Sequence, residues 1–213
     1  MAKPPIFTIG HSDRTLEEFI DTLRRYEITV VVDVRTKPVS GRHPQFNRTV
    51  LENRLPPAGL KYLYLGEGLG AFRTEPEALN ADGQVWYRNV RKLASFKTDI
   101  ERVQSGAQKG YRLVLMCAEG DPHNCHRFPM IAYQLARDGF DVQHILRDGT
   151  ARPHAELENE MLDEFSDKIP KSDLFQPAVG RAQQLEAAYD QLNLRIVLKL
   201  AGKDRHDDTD APY

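Results

Sequence analysis

The chain lacks most of the features from which a function is read directly. Only two cysteines occur in 213 residues, which excludes a disulfide framework. No apolar run approaches the ~20 residues that a membrane helix needs. Nothing matches a signal peptide, because Met1-Ala-Lys-Pro-Pro leads at once into a short apolar stretch ending at Gly10. Net charge is also nearly absent, at −2, so the whole molecule is no electrostatic magnet for nucleic acid or membrane. A local basic patch stays open, since a global sum hides local asymmetry. Internal repeats and low-complexity blocks are missing. These absences lead us to expect a reducing, cytoplasmic setting without membrane attachment, where both thiols are available for chemistry or metal.

What is present is an ordinary globular composition, 40% hydrophobic and 28% charged. The length fits one domain of usual size with a small appendage. Strand-like and helix-like stretches alternate. Residues 5–9 read as a first strand. Apolar residues at Leu16, Phe19, Ile20 and Leu23 give helical spacing, with Ser12, Asp13 or Thr15 as candidate caps. The β-branched run at Ile28, Val30, Val31 and Val32 suits a strand covered on both faces. A polar loop follows over 36–47, then a helix near 49–55 and a third strand over 61–65. Residues 66–83 read as a long excursion near the strand ends. The pattern then gives a helix over 85–103, a strand over 112–116, a helix over 128–137, a strand over 142–146 and a turn over 147–149. Helices over 154–165 and 181–200 follow.

This alternation predicts an α/β fold: a single three-layer domain with a mainly parallel sheet flanked by helices. We expect the α/β domain over 1–170, a C-terminal helical extension over 171–201 and a disordered tail over 202–213. Right-handed crossovers put all strand carboxyl ends along one edge, where open sheets of this class bind ligands.

Polar groups follow three of the apolar strands at that edge. His11 and Ser12 follow the first, Asp33 and Arg35 end the second, and Cys117 and Glu119 follow the fourth. The segment from Cys117 to Arg127 is the centre of this constellation. Cys125, His126 and Arg127 open the next helix, whose N–H groups and partial positive charge favour a thiolate or a bound anion. Arg127, Arg35 and His126 add positive charge. Such surroundings lower a thiol pKa to roughly 3.5–7.5. Cysteine also fills space in many cores, and this reading stands beside the reactive one. His11 reads as an acid/base or orienting group, or as a satisfied half-buried histidine. Asp33 and Arg35 share a strand face, so they form a structural ion pair or leave Arg35 to grip an anion. The loop bearing Arg42, His43, Phe46 and Asn47 suits phosphate contact and base stacking, or plain solvation.

Two further comparisons limit the chemistry. Cys117, Cys125 and His126 are candidate metal ligands, but their Cys-x7-Cys-His spacing is not a standard zinc arrangement. The loop resembles the cysteine loops of phosphatases and rhodanese-like proteins, which follow a buried strand and wrap an anion. Asp33-Val-Arg35 resembles a rhodanese strand end as well. The phosphatase pattern needs Arg six residues after Cys, and that position is His123 here.

The motifs Thr8-Ile-Gly-His-Ser12, Val32-Asp-Val-Arg35, Pro44-Gln-Phe-Asn47, Cys117-Ala-Glu119 and Cys125-His-Arg127 occur in that order. Together they resemble the bacterial domain-of-unknown-function family 488, over about residues 6–162. The resemblance implies an α/β domain whose shared site uses His11, Ser12, Asp33, Arg35, Cys117, Glu119, Cys125, His126 and Arg127. The resulting expectation is a cysteine-dependent enzyme acting on an anionic substrate, a nucleotide or nucleic acid. Cys117, His11, Glu119 and His126 would be catalytic. Ser12, Asp33, Arg35, Arg42, Asn47 and Arg127 would bind substrate. A non-catalytic binding module for a nucleotide, nucleic acid or protein is the alternative, and a Cys117/Cys125/His126 metal site is the second. No cofactor and no oligomeric state can be read from the chain.

Overall fold

The β-branched run becomes strand β2, Val30–Asp33, buried at every position as a strand covered on both faces must be. Its neighbours in the computed structural model are β1 (Ile6–Gly10), β3 (Lys61–Tyr64), β4 (Leu113–Cys117), β5 (Val142–Ile145) and β6 (Ala151–Pro153). The structure describes residues 5–171 and 179–207, with side chains through 200. The chain divides into two units, Met1–His154 and Ala155–Tyr213.

The first unit holds one six-stranded sheet in the order β3-β2-β4-β1-β5-β6. The first five strands are parallel, which bears out the expected α/β class. Only β6 runs antiparallel, to β5. This strand follows the turn at 147–149 and was not expected from the sequence. It is three residues long and ends on Pro153, and an edge is where proline is tolerated.

Topology fixes where a ligand crevice falls. From β1 the chain crosses past the later position of β4 to reach β2. From β4 it crosses past β1 to reach β5. Right-handed crossovers in opposite directions lie on opposite faces of the sheet. The connections leaving β1 and β4 therefore diverge, and the carboxyl ends of these two adjacent strands form the switch point.

Local sequence explains the flanking helices. Helix α1, Leu16–Arg25, starts at a capping box in which Thr15 accepts from the Glu18 N–H and Glu18 accepts from the Thr15 N–H. Thr15 is thus the cap among the three candidates. Leu16, Phe19 and Leu23 are buried and join Phe7, Ile9, Val31 and Met116 in the core. The polar loop over 36–47 contributes a fully buried Phe46 to this cluster. Helix α2, Arg48–Arg54, adds Leu51.

Residues 66–83 are less open than the sequence suggested. Helix α3, Gly66–Leu69, opens this stretch, and a bridge joins Leu79 to Val85 after it. A Cβ on Gly66 would lie 2.0 Å from the Arg35 carbonyl oxygen, so glycine lets α3 sit against the end of β2. The helix expected over 85–103 is two, α4 (Tyr87–Val90) and α5 (Ala94–Gln108). The helix expected over 128–137 begins as a π-helical segment, Arg127–Ala132, and continues as α6, Tyr133–Arg137.

Helix α7 spans His154–Glu164, and α8 spans Arg181–Asp207. Within the second unit, Tyr189 donates to Glu158 at 2.8 Å and Arg195 pairs with Glu164. The helical extension continues to Asp207, and the last six residues of the expected tail lie outside the described residues.

Candidate functional site

Cys117 is the last residue of β4 and pairs in register with Gly10. The ladder runs one step further, because His11 N donates to the Cys117 carbonyl and Ser12 N to the Ala118 carbonyl, both at 2.9 Å. The chain after Cys117 then lies directly on β1. A Cβ on Gly10 would stand 1.7 Å from the Glu119 carbonyl oxygen. A 3-10 turn, Pro122–Asn124, is capped by the Asp121 side chain and returns the chain to Cys125. Arg127, fully buried, ties this loop down by donating to the carbonyls of Glu119 (2.5 Å) and Gly120 (2.9 Å).

The loop closes two thiols onto one imidazole. Cys117 Sγ and Cys125 Sγ each lie 3.7 Å from His126 Nδ1, and the three atoms are all within 4.8 Å of one another. His126 Nε2 lies 3.1 Å from the Val34 carbonyl oxygen, which can only accept. Nε2 therefore carries a proton, and Nδ1 is the atom that exchanges protons with sulfur. Cys117 Sγ also donates to Glu119 Oε2 at 3.3 Å.

Charge is divided unequally over this cluster. The hydrogen bond to Cys125, then burial, then the charges of Cys125 and Glu119 hold the Cys117 thiol well above its usual pKa. Burial also opposes ionisation of Cys125. There the hydrogen bond from Cys117 and the positive charges of Arg127 and His126 outweigh burial and bring the thiol well below its usual range. Burial lowers the His126 pKa, but the charge and hydrogen bond of Cys125, with Glu119 and the Val34 carbonyl, carry it upward. Burial raises Glu119. The surroundings thus disfavour charge on Cys117, while Arg127 and His126 favour it on Cys125.

The other residues singled out from the sequence fall into a second, adjoining network. Asp33 is fully buried and accepts from Arg35 Nε at 2.9 Å and Arg35 Nη2 at 2.6 Å. The Tyr62 hydroxyl donates to Asp33 at 2.7 Å. Arg35 Nη2 also donates to the Phe46 carbonyl at 2.8 Å, and Nη1 faces His11 Nε2 at 3.4 Å. The His11 ring stacks on Phe46 with centroids 4.2 Å apart. Its Nδ1 lies 2.9 Å from the Ser12 carbonyl oxygen. Burial first, and Arg35 with His43 after it, lower the His11 pKa to about 4, so its ring is neutral at pH 7. Ser12 sits at a left-handed φ of 53° and donates to Asp13. The Asn47 amide oxygen accepts from Ser40 N at 2.6 Å inside its own loop, and Arg42 is exposed.

Sequence reasoning missed three contributors. Tyr62 completes Asp33. Tyr87 is buried, and its hydroxyl pKa is raised by burial and then by the charges of Cys125, Cys117 and Glu119, which places it beside the thiols. Arg14 is buried and donates to the carbonyls of Gly10 (2.6 Å) and Leu146 (2.7 Å), linking the ends of β1 and β5. None has a sequence signature for this site; Tyr87, within Trp86-Tyr87-Arg88, reads as a core-packing residue in a helical context, and Arg14 as part of a helical stretch.

The cluster also bears on metal binding. Two thiolates and one imidazole are donor types that zinc takes, and Cys117, Cys125 and His126 are the residues that could hold one.

Against known families, the model described as domain of unknown function DUF488 matches residues 15–134, more than half of the chain. The chain belongs to the DUF488 family. The match takes in Asp33, Arg35, Cys117, Glu119, Cys125, His126 and Arg127, and stops short of His11 and Ser12. No curated protein and no solved structure matches the chain. Among the described residues, no helix is long and apolar enough to cross a membrane.

Proposed function

We propose that this DUF488 chain is a cysteine-dependent enzyme whose reactive group is the Cys125 thiolate, paired with His126 and flanked by the Cys117 thiol. The observation that carries this reading is the convergence of both sulfurs on His126 Nδ1 at 3.7 Å, while Nε2 is anchored on Val34. A histidine so oriented activates a thiol by taking its proton and stabilising the thiolate. The sequence reading centred the nucleophile on Cys117, but the Glu119 carboxyl at 3.3 Å opposes negative charge there. Arg127 and His126 favour charge on Cys125.

The surroundings also bear on the substrate. Arg35 and Arg127, set aside from the sequence for an anion, donate to the protein's own oxygens. Cys117 is 3% exposed and Cys125 1%. Both facts favour a small electrophile over a nucleic acid.

Alkylation by iodoacetamide across a pH series, mapped by mass spectrometry, tests the proposal. Cys125 should react with a midpoint below ~8.5, the value of an unperturbed thiol. The groups setting that midpoint are Cys117 on β4, Glu119 in the loop, Tyr87 on α4, and His126 and Arg127 after the turn. A Cys125 midpoint at or above ~8.5, or stoichiometric zinc on protein purified without chelator, would overturn it.

A further inference from the structure

We propose that Cys117 and Cys125 are a dithiol couple that a small hydroperoxide oxidises to a disulfide, with Cys125 taking the oxygen and Cys117 closing the bond. This rests on the reading of Cys125 as the reactive sulfur beside His126 and adds the substrate class and the role of the second cysteine.

Proximity is the first argument. The two sulfurs lie within 4.8 Å and must approach to ~2.05 Å. The chain between them is only seven residues long, residues 118–124, and contains Gly120 and the 3-10 turn Pro122–Asn124. The segment immediately following Cys125 and His126 is π-helical, Arg127–Ala132, a geometry concentrated at functional sites. Closing the disulfide therefore needs adjustment of one short loop and leaves the sheet in place.

Size selection is the second argument. At 3% and 1% exposure, the sulfurs are closed to a protein disulfide, which must present its own sulfur in line. A hydroperoxide is among the smallest two-electron acceptors for a thiolate.

Placement of proton donors and acceptors is the third. His126 Nδ1, 3.7 Å from Cys125 Sγ, takes the thiol proton as that sulfur attacks the terminal oxygen of ROOH and the O–O bond breaks. The leaving alkoxide takes that proton from His126 Nδ1 and departs as ROH, leaving Cys125 as a sulfenic acid. Cys117 then passes its proton to Glu119, its acceptor at 3.3 Å. The Cys117 sulfur attacks the Cys125 sulfur, the S–O bond breaks, and hydroxide recovers the proton from Glu119 as water. The net change is dithiol plus ROOH to disulfide, ROH and water. The peroxide gains two electrons and the sulfurs lose them. Two molecules of a small thiol restore the pair and become a disulfide themselves.

The test treats the reduced full-length chain with stoichiometric hydrogen peroxide. Intact mass, thiol titration under denaturing conditions and, in parallel, Cys125 alkylation are followed. We expect loss of both thiols with loss of two hydrogens, reversed by dithiothreitol. Cys117→Ser should instead stop at a sulfenic acid that dimedone traps on Cys125. Wild-type protein that gains oxygen without forming the disulfide, or keeps both thiols while Cys125 still alkylates as a thiolate, overturns the dithiol couple and leaves the thiolate reading standing. Protein in which Cys125 resists peroxide and alkylates only as an ordinary thiol overturns both. The wild-type chain alone decides between these outcomes, so they do not depend on how the variant folds.

Discussion

Replacing Gly10 by alanine tests the close contact on which the whole site depends. The added Cβ would lie 1.7 Å from the Glu119 carbonyl oxygen, 2.4 Å from its carbon and 2.9 Å from the Gly120 Cα. All three are backbone atoms, and Arg127 also holds the Glu119 carbonyl, together with that of Gly120. The loop cannot yield by a side-chain rotation, so it must lift from β1. Lifting strains or breaks the bonds from His11 N to Cys117 O and from Ser12 N to Ala118 O. Each is worth about 1 kcal/mol, and overpacking adds about 1–3 kcal/mol, so the expected loss is about 4 kcal/mol. That is a large fraction of the ~5–15 kcal/mol that stabilises an ordinary domain. Urea unfolding measures it, with Gly41→Ala as control, since nothing lies within 4 Å of a Cβ there. The control should stay within ~0.5 kcal/mol of wild type. In whatever protein folds, the Cys125 alkylation midpoint should also move, because Glu119 shifts with the loop. If Gly10→Ala unfolds within ~0.5 kcal/mol of wild type, the loop does not rest on β1 as described.

Other consequences follow from the buried charges. Asp33→Asn should cost about 3–5 kcal/mol, because Arg35 stays buried without its counter-charge, and adding Arg35→Met should recover part of the loss; equal stability of the single and double variants would contradict the ion pair. Arg127→Met should raise the Cys125 alkylation midpoint by about one pH unit or more, since it removes a nearby positive charge; an unchanged midpoint would show that Arg127 serves the loop alone. Burial lowers the pKa of His154 to about 3 and of His11 to about 4, and it lowers His144 with help from His154. Above the ordinary value of 6.5 these rings are neutral in both folded and unfolded chains, and their contribution is complete. As pH falls below 6.5, the unfolded chain takes up protons that the folded chain refuses, so stability drops until the folded pKa is reached. Each histidine contributes about 1.4 kcal/mol per pH unit, and His144→Gln should reduce the slope between pH 6 and 5 by about that amount in urea titrations. A slope unaltered by that substitution would mean that His144 titrates normally.

Much of the architecture was legible because it is local. The β-branched run before Asp33 identifies a doubly covered strand, and Thr15 with Glu18 marks the start of α1 without reference to anything distant. The alternation of such segments was enough for a mainly parallel α/β sheet, and therefore for a polar edge that includes Cys117. The motif residues from Asp33 to Arg127 were enough for the family. Long-range placement was not legible. Strand β4 enters between β1 and β2, and this insertion sets Cys117 beside Gly10 and makes the switch point. The sequence could not show that Arg35 is used by Asp33 and Phe46, because the Phe46 carbonyl arrives from a loop eleven residues away. Nor could it choose between the cysteines. Their spacing along the chain is fixed, but a thiol's charge depends on what burial brings within a few ångströms. Tertiary structure set Glu119 3.3 Å from Cys117 and brought Arg127 and His126 to bear on Cys125, so burial and charge push the two thiols in opposite directions.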